Sequence, residues 1–168
     1  MIHLITGGQR SGKSNYALQF ALSLSGNPVY IATSRIWDDD HKARIALHKA
    51  ERDKRWENIE EEKYLSKLQL RNKTVVLDCI TLWLTNFYTD TNYQVAASLE
   101  QAKKELDVFA KQEMNLILIT NEIGMGTHAA TDAGRKFSDL QGWMNQYIAQ
   151  QSDAVTFMVS GIPMKMPW

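Results

Sequence analysis

The feature that most constrains this fold is a glycine-rich segment near the N-terminus. Residues 7–14 read GGQRSGKS and match the phosphate-binding pattern G-x-x-x-x-G-K-[ST]. A short apolar run, residues 2–6, precedes the segment, and a stretch of helical character, residues 14–24, follows it. In this strand–loop–helix setting, glycines let backbone N–H groups turn toward an anion, and the helix N-terminus adds partial positive charge. The pattern therefore predicts a phosphate-binding loop.

Two side chains of this loop carry specific chemistry. Lys13 is expected to reach the β- and γ-phosphates of a nucleotide, and Ser14 to bind Mg²⁺. The residues predicted to surround the phosphates are Gly7, Gly8, Gln9, Arg10, Ser11, Gly12, Lys13 and Ser14. Residues 74–78, TVVLD, have the form of a Walker B strand, apolar residues that end in a carboxylate. Asp78 is predicted to hold Mg²⁺ with Ser14, directly or through water, and loop capping is the alternative role.

Short apolar runs alternate with longer helical segments along the chain. Strands are predicted at residues 2–6, 28–32, 74–79, 116–120 and 155–160. Helices are predicted at residues 14–24, 38–52, 60–70, 95–112 and 131–151. Uninterrupted apolar runs favour parallel strands buried on both faces, so we expect an α/β fold with a mostly parallel central sheet flanked by helices. The phosphate loop, Thr33-Ser34, Asp78 and Asn121-Glu122 would then converge at the carboxyl edge of the sheet.

Length and charge limit the class of protein. The 168 residues suit one domain spanning 1–168. Nineteen basic side chains balance nineteen acidic ones, which argues against nucleic acid or an anionic membrane as a partner. No apolar run has the length of a membrane span, and the lone Cys79 rules out an internal disulfide. These features favour the cytoplasm.

A basic segment forms the second informative feature. His41, Arg44, His48, Arg52 and Arg55 are spaced 3, 4, 4 and 3 residues apart, which places them along one face of a helix. This face is either solvated, or it presents imidazole and guanidinium groups to phosphates, where a neutral histidine can attack phosphorus.

A second polar segment follows the predicted strand at 116–120. Asn121 and Glu122 either orient water, metal or a substrate hydroxyl, or cap the strand and satisfy loop amides.

Short matches to one known family run in order through nearly the whole chain. They include residues 6–14 (TGGQRSGKS), 30–34 (YIATS), 43–45 (ARI), 48–49 (HK), 78–81 (DCIT), 120–126 (TNEIGMG), 145–146 (NQ) and 159–161 (VSG). With them, the chain resembles the bifunctional adenosylcobinamide kinase/adenosylcobinamide-phosphate guanylyltransferase family of cobalamin biosynthesis. The 48–49 and 120–126 segments make the resemblance specific, because the phosphate loop alone is generic.

The resemblance implies a RecA-like P-loop fold, a homotrimer and two reactions. The first phosphorylates adenosylcobinamide with ATP or GTP. The second transfers GMP from GTP to adenosylcobinamide phosphate through a covalent histidine, which by motif is His48. Catalytic roles are thus expected for His48 and Lys13. The family's GTP contacts map onto residues 7–14 and onto Ala32, Thr33, Ser34, Lys49, Arg52, Glu60 and Asp78.

The chain departs from the family pattern at four places. Phe137-Ser138-Asp139 stand where many members have Phe-Arg-Asp. Asp78 replaces a common Glu, Ala50-Glu51 follow His48-Lys49 in place of Asp-Gly, and Thr127-His128-Ala129-Ala130 replace a Val-Pro segment. Two other functions remain open on the residues alone. One is a different small-molecule P-loop kinase in which His48 is idle, and the other is a GTP-binding regulatory module.

Overall fold

The computed structural model describes residues 1–35 and 52–167. Within these ranges the strands are β1 Ile2–Gly7, β2 Val29–Ala32, β3 Glu57–Glu60, β4 Thr74–Asp78, β5 Asn115–Ile119, β6 Ala154–Val159 and β7 Ile162–Lys165. The helices are α1 Lys13–Leu24, α2 Ile80–Asp90, α3 Val95–Ala110 and α4 Asp132–Gln151, and Leu65–Lys67 form a short 3₁₀ helix.

The strands form one seven-stranded sheet in the order β3-β2-β4-β5-β1-β6-β7. All neighbours from β3 to β6 pair in parallel, and β7 pairs antiparallel with β6. The strand that leads into the phosphate loop, β1, is separated by β5 from β4, which ends at Asp78. This architecture confirms the expected fold class, a RecA-like α/β P-loop fold with a mostly parallel sheet flanked by helices.

Both faces of the sheet are buried. Leu4 of β1 packs with residues of α2, α3 and α4 in one cluster, whereas Ile5 packs with Ala17 and Ala21 of α1 in another. Consecutive residues of a strand point to opposite faces, so a strand covered on both sides is apolar without alternation. A fully buried Leu or Ile side chain contributes about 1.5–3 kcal/mol to stability. The apolar runs in the sequence therefore identify the central strands well.

The predicted helix at residues 60–70 is wrong. Glu60 ends β3, and only the 3₁₀ turn Leu65–Lys67 is helical in the stretch that follows. β3 reads ENIE and is mostly exposed, so its strand conformation comes from backbone pairing with β2 rather than from an apolar pattern. Leu65 and Leu70 are buried without forming a regular helix, because the segment wraps over the core.

Two further elements are absent from the sequence-based prediction. Helix α2 was not expected although Trp83 and Phe87, both buried, stand at helical spacing. Strand β7 contains Pro163, which cannot donate to a ladder and is tolerated here at the sheet edge. The predicted helix 38–52 lies outside the described residues apart from Arg52, which is in a bend. None of the described helices has the length and apolar character needed to cross a membrane.

Candidate active site

The backbone of the phosphate loop depends on its glycines. Gly7 has φ 152°, and a Cβ there would lie 2.5 Å from the carbonyl oxygen of Met158. Gly12 is left-handed, with φ 92°, and forms the N-cap of α1. The first turn of α1 has no acidic residue and no side-chain cap. The N–H groups at this helix end are therefore oriented for an anion that the protein does not itself supply.

Lys13 and Ser11 are buried polar groups inside this loop. Lys13 is only 7% exposed, and its Nζ donates to the carbonyl oxygen of Gly8 at 2.6 Å. Burial lowers the pKa of Lys13, while neighbouring Cys79 and Asp78 oppose the shift. The hydroxyl of Ser11 is buried and has no hydrogen-bond partner among the described residues. A bound phosphate would give the Ser11 hydroxyl a hydrogen-bond partner and Lys13 an anionic one, so the loop fits the ligand that its sequence predicts.

Asp78, at the end of β4, and Ser14, at the start of α1, are in direct contact. Ser14 Oγ donates to Asp78 Oδ2 at 3.1 Å, and the hydroxyl of Tyr30 donates to the same oxygen at 2.7 Å. Burial, and then the adjacent Asp78 carboxylate, raise the pKa of Tyr30, which keeps the phenol protonated as a donor. A hydroxyl and a carboxylate oxygen are the hard ligands that Mg²⁺ prefers. The pair therefore fits the metal predicted from the sequence, and the assignment stays a prediction.

The carboxyl ends of β2, β3 and β4 lie in register beside this pair. Ala32 is paired with Glu60 on one side and with Asp78 on the other. Thr33 is fully buried, and its hydroxyl donates to the carbonyl of Cys79 at 2.9 Å and accepts from the Cys79 N–H at 3.1 Å. Ser34 follows and donates to the carbonyl of Arg35 at 3.1 Å. The predicted GTP-contact residues of these three strands thus share one edge of the sheet.

A cavity of about 490 Å³ opens beside Ser14. The guanidinium carbon of Arg52 lies 3.7 Å from the centroid of the Tyr30 ring. The Trp56 ring packs edge-to-face against the same ring, with 6.2 Å between the two centroids. Arg52 is held by a 2.7 Å hydrogen bond from Nε to Asn58 Oδ1. Arg52, which the sequence predicts as a nucleotide contact, thus lines the same cavity as Ser14.

Sequence reasoning did not identify Tyr30 as part of this site. Tyr30 and Ala32 share one face of β2, and Ala32 pairs directly with Asp78. Period-two alternation therefore places Tyr30 diagonally across from Asp78 once the register is known. The register between β2 and β4 is the signal that was missing.

The segment after β5 is attached to the phosphate loop. The N–H of Glu122 donates to the carbonyl of Gly7 at 3.0 Å. Asn121 donates from both its backbone N and its Nδ2 to Thr81 Oγ1, each at 3.1 Å. His48 and Lys49, the predicted nucleophile and its neighbour, lie outside the described residues. The structure thus brings together the predicted site residues of the loop and strand ends, and leaves the two from the basic segment as predictions.

The family profile described as cobinamide kinase / cobinamide phosphate guanyltransferase matches residues 3–166. The chain belongs to this family. Within it, the chain is 35% identical over 171 residues to the bifunctional adenosylcobalamin biosynthesis protein CobP of Pseudomonas aeruginosa, covering 99% of this chain and 97% of the relative. It is 34% identical over 181 residues to the bifunctional adenosylcobalamin biosynthesis protein CobU of Escherichia coli, with 99% of each covered.

Among solved structures, this member of the cobinamide kinase family has a distant likeness to a flagellar protein. The flagellar accessory protein FlaH from Methanocaldococcus jannaschii aligns with a TM-score of 0.45 and 12% identity, over 96% of this chain and 74% of that chain. The family resemblance inferred from the motifs is confirmed by the sequence matches alone.

Proposed function

We propose that this protein phosphorylates the aminopropanol hydroxyl of adenosylcobinamide with ATP or GTP, and then transfers GMP from GTP to adenosylcobinamide phosphate. The second reaction gives adenosylcobinamide-GDP and pyrophosphate. Family membership over nearly the whole chain carries the proposal. The phosphate loop supports it, because a buried lysine and a serine bonded to Asp78 are the groups that phosphoryl transfer requires.

In the kinase reaction the residues of the phosphate loop bind the triphosphate through backbone N–H groups. Lys13 neutralises negative charge that develops on the β- and γ-phosphate oxygens in the transition state. Bound Mg²⁺ would neutralise further charge on these oxygens, and Ser14 and Asp78 are the residues that would hold it. Tyr30 orients the Asp78 carboxylate through its 2.7 Å hydrogen bond.

The remaining GTP contacts are proposed on the strand ends and on the basic segment. They are Ala32, Thr33, Ser34, Lys49, Arg52, Glu60 and Asp78. The register that aligns Ala32 with Glu60 and Asp78 supports the inclusion of these three residues. The position of Arg52 at the wall of the cavity beside Ser14 supports its inclusion.

In the transferase reaction His48 is the proposed nucleophile. A neutral imidazole is abundant at pH 7 because its reference pKa is about 6.5. The imidazole nitrogen forms a bond to the α-phosphorus of GTP, and the bond from that phosphorus to the bridging oxygen breaks with release of pyrophosphate. An oxygen of adenosylcobinamide phosphate then attacks the same phosphorus and expels the histidine. The covalent step divides one displacement between two anions into two displacements.

Intact-mass measurement after incubation with Mg²⁺ and GTP tests the transferase reaction. We expect the mass to rise by one guanylyl group, and peptide mapping to place that group on His48. The adduct should be acid-labile, since it is a phosphoramidate. His48→Ala should lose the adduct and GMP transfer but keep phosphorylation of the hydroxyl.

The matched control is His41→Ala, which removes the other histidine of the basic segment and should form the adduct normally. An adduct on His41 or Lys49 would show that this residue, and not His48, is the nucleophile. A wild-type protein that phosphorylates adenosylcobinamide without forming any adduct would be a kinase in which His48 is idle.

We also propose that the protein is a homotrimer in the cytoplasm, as the family resemblance implies. Light scattering coupled to size-exclusion chromatography should give three times the chain mass of 19.2 kDa. A monomeric mass at assay concentration would contradict this assembly.

A further inference from the structure

Glu122 stands between the two halves of the phosphate site. It follows β5, and β5 lies between β1, which leads into the phosphate loop, and β4, which ends at Asp78. Its N–H donates to the carbonyl of Gly7 at 3.0 Å, so the backbone of Glu122 contacts the first residue of the loop directly. The side chain is half-buried at this position.

The carboxylate of Glu122 is partly tied down. Oε1 accepts a hydrogen bond from the Gly124 N–H at 2.8 Å. Within the described residues, its other oxygen takes part in no hydrogen bond or ion pair. A carboxylate that is oriented through one oxygen and open at the other is arranged to accept a proton from an outside donor.

A buried polar network holds the backbone that carries Glu122. Asn145 Nδ2 donates to the carbonyl of Asn121 at 3.2 Å, and Thr120 Oγ1 donates to Asn145 Oδ1 at 2.7 Å. Gln141 is 1% exposed and donates to both Thr120 and Asn145. Thr81 Oγ1 accepts twice from Asn121. Helices α2 and α4 thus fix the end of β5, so the position of Glu122 is set by regular elements rather than by a free loop.

We infer that Glu122 is the general base of the kinase reaction, a role that rests on the proposed function. The hydroxyl oxygen of adenosylcobinamide forms a bond to the γ-phosphorus, and the bond from that phosphorus to the β–γ bridging oxygen breaks. The electron pair of the broken bond leaves with the nucleoside diphosphate. The hydroxyl proton passes to the open oxygen of Glu122, which becomes a neutral carboxylic acid and later loses that proton to water.

The other nearby carboxylates are engaged in different ways. Asp78 Oδ2 already accepts from Ser14 and Tyr30, and Asp78 belongs to the proposed metal site. Glu60 ends β3 and Glu61 follows it, and β3 is separated from β1 by β2, β4 and β5. Glu122 is therefore the carboxylate of the described strand ends that adjoins the phosphate loop without a metal role.

Glu122→Gln tests the assignment, because the amide oxygen keeps the contact with the Gly124 N–H while the basic oxygen is lost. We expect kcat of the kinase reaction to fall about 100-fold or more, since general bases typically contribute 10²–10⁴-fold. The KM for the nucleotide and the midpoint of thermal unfolding should stay near wild-type values. Formation of the GMP adduct from GTP should persist, because that reaction uses no substrate hydroxyl.

Glu61→Gln is the matched control. Glu61 is also half-buried just after a strand, and its Oε1 accepts from the N–H groups of Lys63 and Tyr64 at 3.0 and 2.8 Å. This variant should keep wild-type kinase activity. A Glu122→Gln protein that retains kcat within about threefold would overturn the inference. So would a parallel loss of kinase activity, GMP adduct and thermal stability, since that pattern indicates a structural role. If the wild-type protein forms the adduct but does not phosphorylate adenosylcobinamide, the proposed kinase function fails, independently of the variant.

Discussion

A single carboxylate oxygen joins three parts of the candidate site. Asp78 Oδ2 accepts from Ser14 at the start of α1 and from Tyr30 in the middle of β2. The guanidinium carbon of Arg52 in turn lies over the Tyr30 ring, 3.7 Å from its centroid. Residues far apart in the sequence therefore orient the same atom. We expect substitutions of Asp78, Ser14 or Tyr30 to affect function more than folding.

Lys13→Ala should abolish turnover of the triphosphate. The substitution removes a compact positive charge beside the β- and γ-phosphates, and losses of such contacts cost about 3–4 kcal/mol of transition-state stabilisation. Because burial already lowers the pKa of Lys13, the folded protein should tolerate its removal. Steady-state kinetics together with circular dichroism checks the prediction, and near-wild-type turnover by a folded variant would contradict the assignment.

Asp78→Asn should raise the Mg²⁺ concentration needed for half-maximal activity by about tenfold, because a neutral amide is a weaker ligand than a carboxylate. A Mg²⁺ titration of the kinase reaction measures the effect. Asp107→Asn is the matched control, since Asp107 also accepts from a tyrosine, Tyr147, at 2.6 Å but lies on α3. An unchanged Mg²⁺ titration for Asp78→Asn would exclude this carboxylate as the metal ligand.

At the scale of elements, the phosphate loop is shaped by the neighbouring hairpin as well as by its own sequence. The turn between β6 and β7 contains Gly161, whose N–H donates to the carbonyl of Ser11 at 3.0 Å. The carbonyl of Met158, in β6, faces the position that a Cβ of Gly7 would occupy. The loop and the hairpin are thus packed backbone against backbone.

Gly7→Ala should destabilise the protein by about 1–3 kcal/mol, because φ is 152° and the new Cβ would lie 2.5 Å from the Met158 carbonyl oxygen. The free energy of unfolding in urea gives the measurement. Gly8→Ala is the internal comparison for stability, since no atom lies within 4 Å of a Cβ at Gly8. Equal unfolding free energies for the two variants would show that the loop and β6 are not packed as described.

At the scale of the whole molecule, one ion cluster connects the ends of three elements. Asp90, the last residue of α2, accepts from Arg35 at 2.7 and 2.9 Å and from Lys63 at 2.8 Å. Arg35 also donates to Glu62 at 2.6 Å. The cluster links the segments that leave β2 and β3 to the last residue of α2.

This cluster predicts a dependence of stability on pH. Hydrogen bonds from Arg35, and then from Lys63, hold the pKa of Asp90 well below its usual range. The folded state therefore binds fewer protons than the unfolded state, and the stabilisation is complete at neutral pH and is lost as the pH falls below about 4. Because Asp90 is partly exposed, we expect Asp90→Asn to cost about 1 kcal/mol at pH 7.

Urea unfolding of wild type and Asp90→Asn at a series of pH values tests this dependence. The difference between their unfolding free energies should narrow toward acid pH, where Asp90 is neutral in both states of the wild-type protein. A difference that is constant with pH would show that the charge of Asp90 contributes nothing. Asp132→Asn, measured in the same way, is the comparison for a solvated ion pair. Asp132 is an exposed carboxylate that pairs with Lys136 at 2.6 Å on the surface of α4.

The sequence by itself determined the phosphate loop, its flanking strand and helix, and the central strands β2, β4, β5 and β6 within one residue at each end. These features depend on local conformation and on apolar runs, which the chain carries wherever it folds. The family could also be inferred from the sequence, because each of its motifs is a short contiguous segment. The polar edge strand β3, the proline-containing β7 and helix α2 were decided by pairing and packing with distant residues.

Only the tertiary structure showed which side chains meet. Tyr30 reaches Asp78 because β2 and β4 are adjacent and in a specific register, and Glu122 adjoins the phosphate loop because β5 inserts next to β1. Register and strand order are nonlocal properties, set by the burial of both faces of the sheet, and periodicity along one segment contains no information about them. The sequence therefore identifies individual candidate residues, and the order and register of the strands decide which of them lie together in one site.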